Sequence, residues 1–343
     1  MTKVDIISGF LGAGKTTFIK KLIGEVFLDE KIVLIENEFG EIGIDGGFLK
    51  DAGVEITEMN SGCICCTLVG DFGRALQKVL KEHTPDRVII EPSGVGKLSD
   101  IVRAVRDVKE EADIEIGSLI TVVDGRKAGL YLKNFGEFFR NQVEHASTIV
   151  MSRTQMMEDD KIEACVKMLR RENADAPVIT TRWDVLGGNA IQNALSAQKG
   201  QAGLLDGECL HSHGAHACSH GHGHHTCSHS HEEHPHPHSH GENCGCEEHH
   251  HADEVFTSWS CESAHRYTEE ELDYAVMALA ETEGYGIVLR AKGIVQMTDG
   301  TWRQFDLVPE ECEIRPGQPD YSGRLCVIGT DLREAELEKL FHV

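Results

Sequence analysis

Gly9-Phe10-Leu11-Gly12-Ala13-Gly14-Lys15-Thr16 follows directly on the apolar run Val4 to Ser8, and Thr16 to Ile23 continues with helical character. A strand that ends in G-x-x-x-x-G-K-[ST] and opens a helix restricts the chain to few folds. The glycines let consecutive backbone N–H groups curl around one anion at the helix N-terminus. Gly9, Gly12, Ala13, Gly14, Lys15, Thr16 and Thr17 are the expected nucleotide-binding residues, with Lys15 reaching a phosphate oxygen and Thr16 a Mg²⁺ ion.

Further apolar runs lie at Lys31 to Ile35, Val54 to Thr57, Arg87 to Ile90, Ser118 to Val123, Thr148 to Met151 and Val178 to Thr181, with helix-like stretches such as Phe72 to Lys81 between several of them. Continuous Val/Ile strands alternating with helices predict an α/β fold, a P-loop NTPase whose mostly parallel sheet is covered by helices on both faces. Ligands of such sheets gather at the carboxyl ends of the strands, where Gly9, Glu36, Glu91 and Asp124 fall. Glu91 precedes Pro92-Ser93-Gly94, so its carboxylate is expected to hold Mg²⁺ through water while Gly94 admits the γ-phosphate to the backbone. The plain alternative is a solvated acidic strand end.

Lys plus Arg number 33 against 57 Asp plus Glu, a formal charge of −24, which disfavours a nucleic-acid partner. Positions 1 to 10 lack an export signal, and no run of eighteen apolar residues predicts a membrane span, so a cytoplasmic protein is expected. In a reducing compartment its twelve cysteines read as thiols or metal ligands rather than a disulfide framework.

Three of those thiols crowd into Cys63-Ile64-Cys65-Cys66, just after Gly62. In a loop their sulfurs can converge on one ion; thiolates at about 2.3 Å favour Zn²⁺ or Cu⁺ over Mg²⁺ or Ca²⁺, and a three-sulfur set leaves a fourth position open. Buried cysteines acting as small apolar residues are the competing reading. Between the phosphate loop and these thiols runs Glu36-Asn37-Glu38-Phe39-Gly40-Glu41-Ile42-Gly43-Ile44-Asp45, polar, Gly-punctuated and placed after a strand like a switch loop.

Composition changes abruptly near Ala197. Cys209 to His251 holds 16 of the 20 histidines and five cysteines among Gly, Ser, Pro and Glu, too few apolar groups to offset ordering entropy. The expected division is a P-loop domain over 1–195, a His/Cys-rich disordered linker over 196–254, and a smaller α+β domain over 255–343. Its strands are read at Val255 to Ser260, Ile287 to Met297, Trp302 to Phe305 and Leu325 to Ile328, with helices at Glu269 to Ala280 and Leu332 to Leu340. The tract reads either as a metal store feeding the thiols or as a passive linker. Trp183 and Trp302 are read as partly buried core.

Gly9 to Thr17, Glu36 to Asp45, Gly62 to Cys66, Glu91 to Gly94 and Arg290-Ala291-Lys292-Gly293 together resemble the CobW-type metallochaperone GTPases, relatives of the nickel-insertion GTPases HypB and UreG. The resemblance implies phosphate and Mg²⁺ binding at Lys15 and Thr16 and a role for Glu91 in a Glu-x-x-Gly element. It also implies cargo-metal binding at Cys63, Cys65 and Cys66, with Glu36 and Glu41 as further candidate ligands. The chain departs from the family's guanine-reading Asn/Thr-Lys-x-Asp with Ser152-Arg153-Thr154-Gln155. A neutral amide at Gln155 offers one acceptor oxygen where aspartate accepts from two guanine donors, a loss of about 1.5 to 3 kcal/mol in base discrimination. Arg153 can still stack along the base.

The function expected is therefore nucleotide hydrolysis, GTP favoured and ATP the alternative, by Lys15, Thr16 and Glu91. It is coupled to binding Zn²⁺, or Co²⁺ or Ni²⁺, for delivery to a client metalloprotein. Turnover is expected to be slow, with a missing group supplied by the client or by a second copy in a homodimer. A metal buffer or sensor with nucleotide as a structural ligand is the rival, and a small-molecule kinase a third reading.

Overall fold

The computed structural model describes residues 1–37, 55–59, 69–110, 112–196, 252–320 and 322–343. The first sheet contains β1 (Thr2–Ser8), β2 (Ile32–Asn37), β3 (Glu55–Met59), β4 (Arg87–Glu91), β5 (Ile114–Asp124), β6 (Thr148–Ser152) and β7 (Val178–Ile179). Its order is β3-β2-β4-β1-β5-β6-β7, and every pairing is parallel. The helices are α1 (Lys15–Glu25), α2 (Val69–His83), α3 (Leu98–Lys109), α4 (Ala128–Asn134), α5 (Gly136–Glu144), α6 (Asp159–Glu172) and α7 (Gly188–Ser196).

Side chains that alternate along a strand point to opposite faces. Val122 and Val150 accordingly pack with Phe18, Ile19 and Leu22 of α1, while their neighbours Val123, Ile149 and Met151 pack with Phe138, Phe139 and Val143 of α5. Both faces are thus apolar and helix-covered, which is why these strands read as unbroken Val/Ile runs. The predicted strand at 178 to 181 pairs over two residues only, since β7 is an edge with one neighbour.

The C-terminal part contains α8 (Ala252–Val255), β8 (Thr257–Ser263), β9 (Arg266–Tyr267), α9 (Glu269–Glu281), β10 (Ile287–Met297), β11 (Trp302–Val308), β12 (Glu311–Pro316), β13 (Gly323–Thr330) and α10 (Glu334–Leu340). Its sheet runs β12-β11-β10-β13-β8 with antiparallel pairs, and β9 adds beside β10 in parallel. A capping box starts α9: Thr268 Oγ1 accepts from the Glu271 amide at 3.1 Å, and Glu271 Oε2 accepts from the Thr268 amide at 2.8 Å.

Both sheets belong to one compact unit, Met1–Gln198 with His250–Val343. Phe256, Leu289 and Ile328 share a hydrophobic cluster with Phe10, Tyr131 and Phe138. A second unit, Lys199–His249, lies outside the described residues, and with it nearly all of the histidine-rich tract. Among the described residues, no helix is long and apolar enough to cross a membrane.

Candidate functional site

The loop between β1 and α1 is built by backbone conformations that L side chains rarely adopt: Gly9, Gly12 and Gly14 all have positive φ. At Gly12, φ is +68°, and an added Cβ would stand 2.6 Å from Val308 Cγ1 of β11. The C-terminal sheet therefore packs against the phosphate loop itself. Ala13 is buried and donates its amide to Phe10 O at 3.1 Å, closing the turn that leads into α1.

Lys15 is buried at the first position of α1, Thr16 is half-buried beside it, and Thr17 is exposed. Thr16 Oγ1 lies 3.1 Å from each carboxylate oxygen of Glu91, 75 residues away. A hydroxyl in the first turn of α1 and a carboxylate at the end of β4 form the hard-oxygen pair that suits Mg²⁺, so these residues fit the ion that the phosphate loop implies. Beyond Glu91, Gln142 Nε2 donates to Gly94 O at 3.0 Å and Gly96 O at 2.8 Å, fixing the turn. A Cβ on Gly94 would lie 2.8 Å from the backbone nitrogen of Leu11, so only glycine allows that turn to touch the phosphate loop undisturbed.

On the other side, Arg153 follows β6 with φ of 61°. Its guanidinium donates to Gly12 O and to Asp124 Oδ2, both at 3.3 Å, and pairs with Glu311 of β12. Asp124 also accepts from the Arg126 amide at 3.0 Å, so it both caps the turn and anchors Arg153. Burial raises the Asp124 carboxyl above its ordinary range, opposed by the charge of Arg153. Burial likewise lowers the Lys127 ammonium, which faces Glu311 at 3.6 Å. Gln155 is exposed in a short 3₁₀ turn, Thr154–Met156. Trp183 is partly buried as expected, tilted over Phe18 at 5.4 Å and donating to Met151 O at 3.0 Å.

These residues enclose a cavity of about 470 Å³, lined by Gly12, Lys15, Thr16, Glu91 and Arg153 from the first sheet. The second sheet adds Arg290, Asp306, Val308, Glu311, Glu313 and Arg315 to the wall, and of these only Arg290 was singled out from the sequence, without assignment to the site. Alternation offered a signal, since 311, 313 and 315 share one face of a strand. Arg290 pairs with Asp306 at 3.0 Å and Arg315 with Glu313 at 2.9 Å, so the wall is charged and internally paired.

Glu36, the first of the candidate cargo ligands, is buried near the end of β2 and is the register partner of Glu91 on β4. Cys63, Cys65, Cys66 and Glu41 lie outside the described residues.

Residues 3–180 match the family model of the CobW/HypB/UreG nucleotide-binding domain, and residues 256–343 that of the cobalamin synthesis protein cobW C-terminal domain. The chain is 30% identical over 191 residues to the zinc chaperone YeiR of Escherichia coli (strain K12), covering 56% of this chain and 58% of that one. It is 33% identical over 187 residues to the zinc chaperone CobW of Sinorhizobium sp, covering 46% and 52%. It thus spans somewhat more than half the length of these curated relatives. The crystal structure of Zn(II)-bound YjiA GTPase from E. coli aligns over 99% of this chain and 98% of that one, at 20% identity and a TM-score of 0.41.

Proposed function

The chain belongs to the CobW/HypB/UreG family, and from that premise we propose that it is a nucleotide-hydrolysing metallochaperone. GTP is the favoured nucleotide, and the cargo is a transition metal, zinc first, held at Cys63, Cys65 and Cys66 and passed to a client protein. The relatives named as zinc chaperones support the cargo assignment. Residues 1–195 act as the nucleotide domain, 196–254 as a metal-gathering linker and 255–343 as the second domain.

The observation that carries the reading is the register of β2 and β4. Glu36 and Glu91 are direct neighbours on parallel strands, about 4.8 Å apart in the pairing direction. Glu91 touches Thr16 at the phosphate loop, and Glu36 begins the segment that leads to the three thiols. A change in how Glu91 is engaged is therefore felt one strand away, where the loop toward the cargo site starts.

Lys15 binds the β and γ oxygens of the nucleotide and stabilises charge developing on the transferred phosphoryl group, while water attacks. The Thr16 hydroxyl and the Glu91 carboxylate would hold a magnesium ion, which when bound would neutralise charge on the phosphate oxygens. Gln142 keeps the Gly94 turn in place, and Arg153 lies where its planar guanidinium can stack on a base. Moving the thiol site from nearly all holding to nearly all releasing takes about 5.5 kcal/mol of differential affinity, within reach of contacts made only to the γ-phosphate.

The test is hydrolysis of GTP and ATP by the full chain, each with and without Zn²⁺, Co²⁺ and Ni²⁺, with bound metal measured in every nucleotide state. The reading expects metal-dependent turnover and weaker metal retention in one nucleotide state. Equal retention in the empty, triphosphate and diphosphate forms overturns it.

A further inference from the structure

Only four histidines lie outside the histidine-rich tract: His83, His145, His265 and His342. Two of them, 77 residues apart in sequence, meet in the C-terminal part: the rings of His265 and His342 lie with centroids 4.6 Å apart. Glu271 of α9 completes the group, and one ligand atom from each of the three lies within 4.8 Å of the others.

Each side chain is held by its own element. His265, between β8 and β9, donates its amide to Ser263 Oγ at 3.2 Å, and its ring stands edge-on to Tyr267 at 4.6 Å. Glu271 is fixed by the capping box, where Oε2 accepts the Thr268 amide. Such an outer hydrogen bond orients a carboxylate as metal sites require. The segment after α10 is brought over this group because Tyr267 Oη donates to Phe341 O at 2.6 Å, while the Phe341 ring stacks on Trp259 at 5.7 Å. His342 then follows with φ of 56°, a left-handed conformation uncommon for a residue with a side chain.

His265 Nε2 is shielded from solvent and makes no hydrogen bond among the described residues, although Glu271 Oε2 lies 3.8 Å from it. A buried ring nitrogen without a partner is costly unless something occupies the space between it and the carboxylate. A tetrahedral zinc ion with bonds of about 2.1 Å holds its donors about 3.4 Å apart. The present spacings, 3.8 Å between His265 and Glu271 and no more than 4.8 Å within the group, exceed that value by about 1.4 Å or less, and His342 is the exposed member whose side chain is freest to move.

We propose that His265, Glu271 and His342 form a second, thiol-free binding site for a divalent transition cation, zinc first, that fastens the residues after α10 to the start of α9. Two imidazoles and a carboxylate select zinc, nickel or cobalt over magnesium or calcium, and three protein ligands leave a fourth position to water. This site stands independently of the nucleotide cleft, which is lined by other residues.

Hydrogen exchange on the full-length chain reads the site locally, so metal bound elsewhere does not obscure it. At zinc ten times the dissociation constant, amides in 263–275 and 334–343 should exchange about tenfold more slowly than without metal. Magnesium at the same concentration should leave them unchanged. His342→Ala alters an exposed side chain and should abolish the protection. Glu271→Gln keeps an acceptor for the Thr268 amide and should weaken it strongly. Absence of zinc protection in the wild type, equal protection in His342→Ala, or equal protection by magnesium overturns the proposal.

Discussion

Arg153, in the turn after β6, and Glu311, the first residue of β12, are 158 residues apart in sequence and form an ion pair on the wall of the phosphate cleft. Arg153 also neutralises Asp124, whose side chain is almost fully buried, whereas Glu311 is 39% exposed. The two ends of the pair are therefore unequal. Glu311→Ala should cost about 1 kcal/mol or less, because water can take over the exposed contact. Arg153→Ala leaves a buried carboxylate short of its cation and should cost about 2 to 3 kcal/mol near pH 7. Chemical denaturation of the two variants and the double variant checks both values and their coupling.

That contrast should depend on pH. The Asp124 carboxyl is raised in the fold, chiefly by burial and against the pull of Arg153. A raised folded value means that its contribution is fully present below the ordinary carboxylate pKa of about 4, and is lost as pH climbs through the raised value. Removing Arg153 raises it further. The deficit of Arg153→Ala should accordingly be small near pH 4 and grow toward neutrality, and unfolding midpoints measured across that range would expose a flat difference as a refutation.

Gly94→Ala is predicted to injure nucleotide binding more than folding. Its Cβ would lie 2.8 Å from Leu11 N and 2.8 Å from Leu11 Cδ2, so the phosphate loop or the Gly94 turn must move. Such overpacking costs about 1 to 3 kcal/mol, or a tenfold to hundredfold loss of affinity if it falls on the bound loop. Titration with a fluorescent nucleotide, alongside thermal unfolding, separates the two effects.

Base choice should be adjustable at an exposed position. Gln155→Asp restores a charged acceptor in the turn after β6 and should raise the preference for GTP over ATP by about tenfold or more, the equivalent of 1.5 to 3 kcal/mol. An unchanged ratio of dissociation constants would show that this turn does not read the base.

The thiols of the folded core should be inert. Burial pushes Cys165 and Cys261 up to about 11, so at pH 8 about one in a thousand is thiolate. Cys312 is exposed and should be alkylated first among the described cysteines, which mass spectrometry of iodoacetamide-treated protein can map. Since the folded value of Cys165 exceeds the ordinary 9.0, its share of stability is intact below that pH and declines toward about 11. Modification of Cys165 as fast as Cys312 would contradict this.

Much of the first sheet was legible because it obeys a local rule. Buried parallel strands must be apolar on both faces, so Val4 to Ser8, Arg87 to Ile90 and Thr148 to Met151 stand out as runs, and each lies within or across a strand. The strands missed, β9 and β12, are short or charged: Glu311-Cys312-Glu313-Ile314-Arg315-Pro316 is an edge strand with only β11 beside it. Glu311, Glu313 and Arg315 face the cleft and only Ile314 of the other face packs against the core of its own sheet, so hydrophobic patterning had little to signal. The contact of Thr16 with Glu91 was foreseeable because the phosphate loop and Glu91 follow the carboxyl ends of strands in one parallel sheet, whereas the pairing of His265 with His342 was not, since it depends on Tyr267 tethering the residues after α10.

By itself the order of residues determined that a strand, a glycine turn and a helix would present Lys15 and Thr16 to an anion, because those requirements are met within some fifteen neighbouring positions. What only the tertiary structure decided is what stands opposite them. Val308 against Gly12, Glu311 against Arg153 and Glu36 beside Glu91 arise from sheet register and from one sheet packing on another. Such contacts are settled by the burial of Phe256 and Ile328 against Phe10 and Phe138 across the whole fold, and no local window of the chain contains both sides of them.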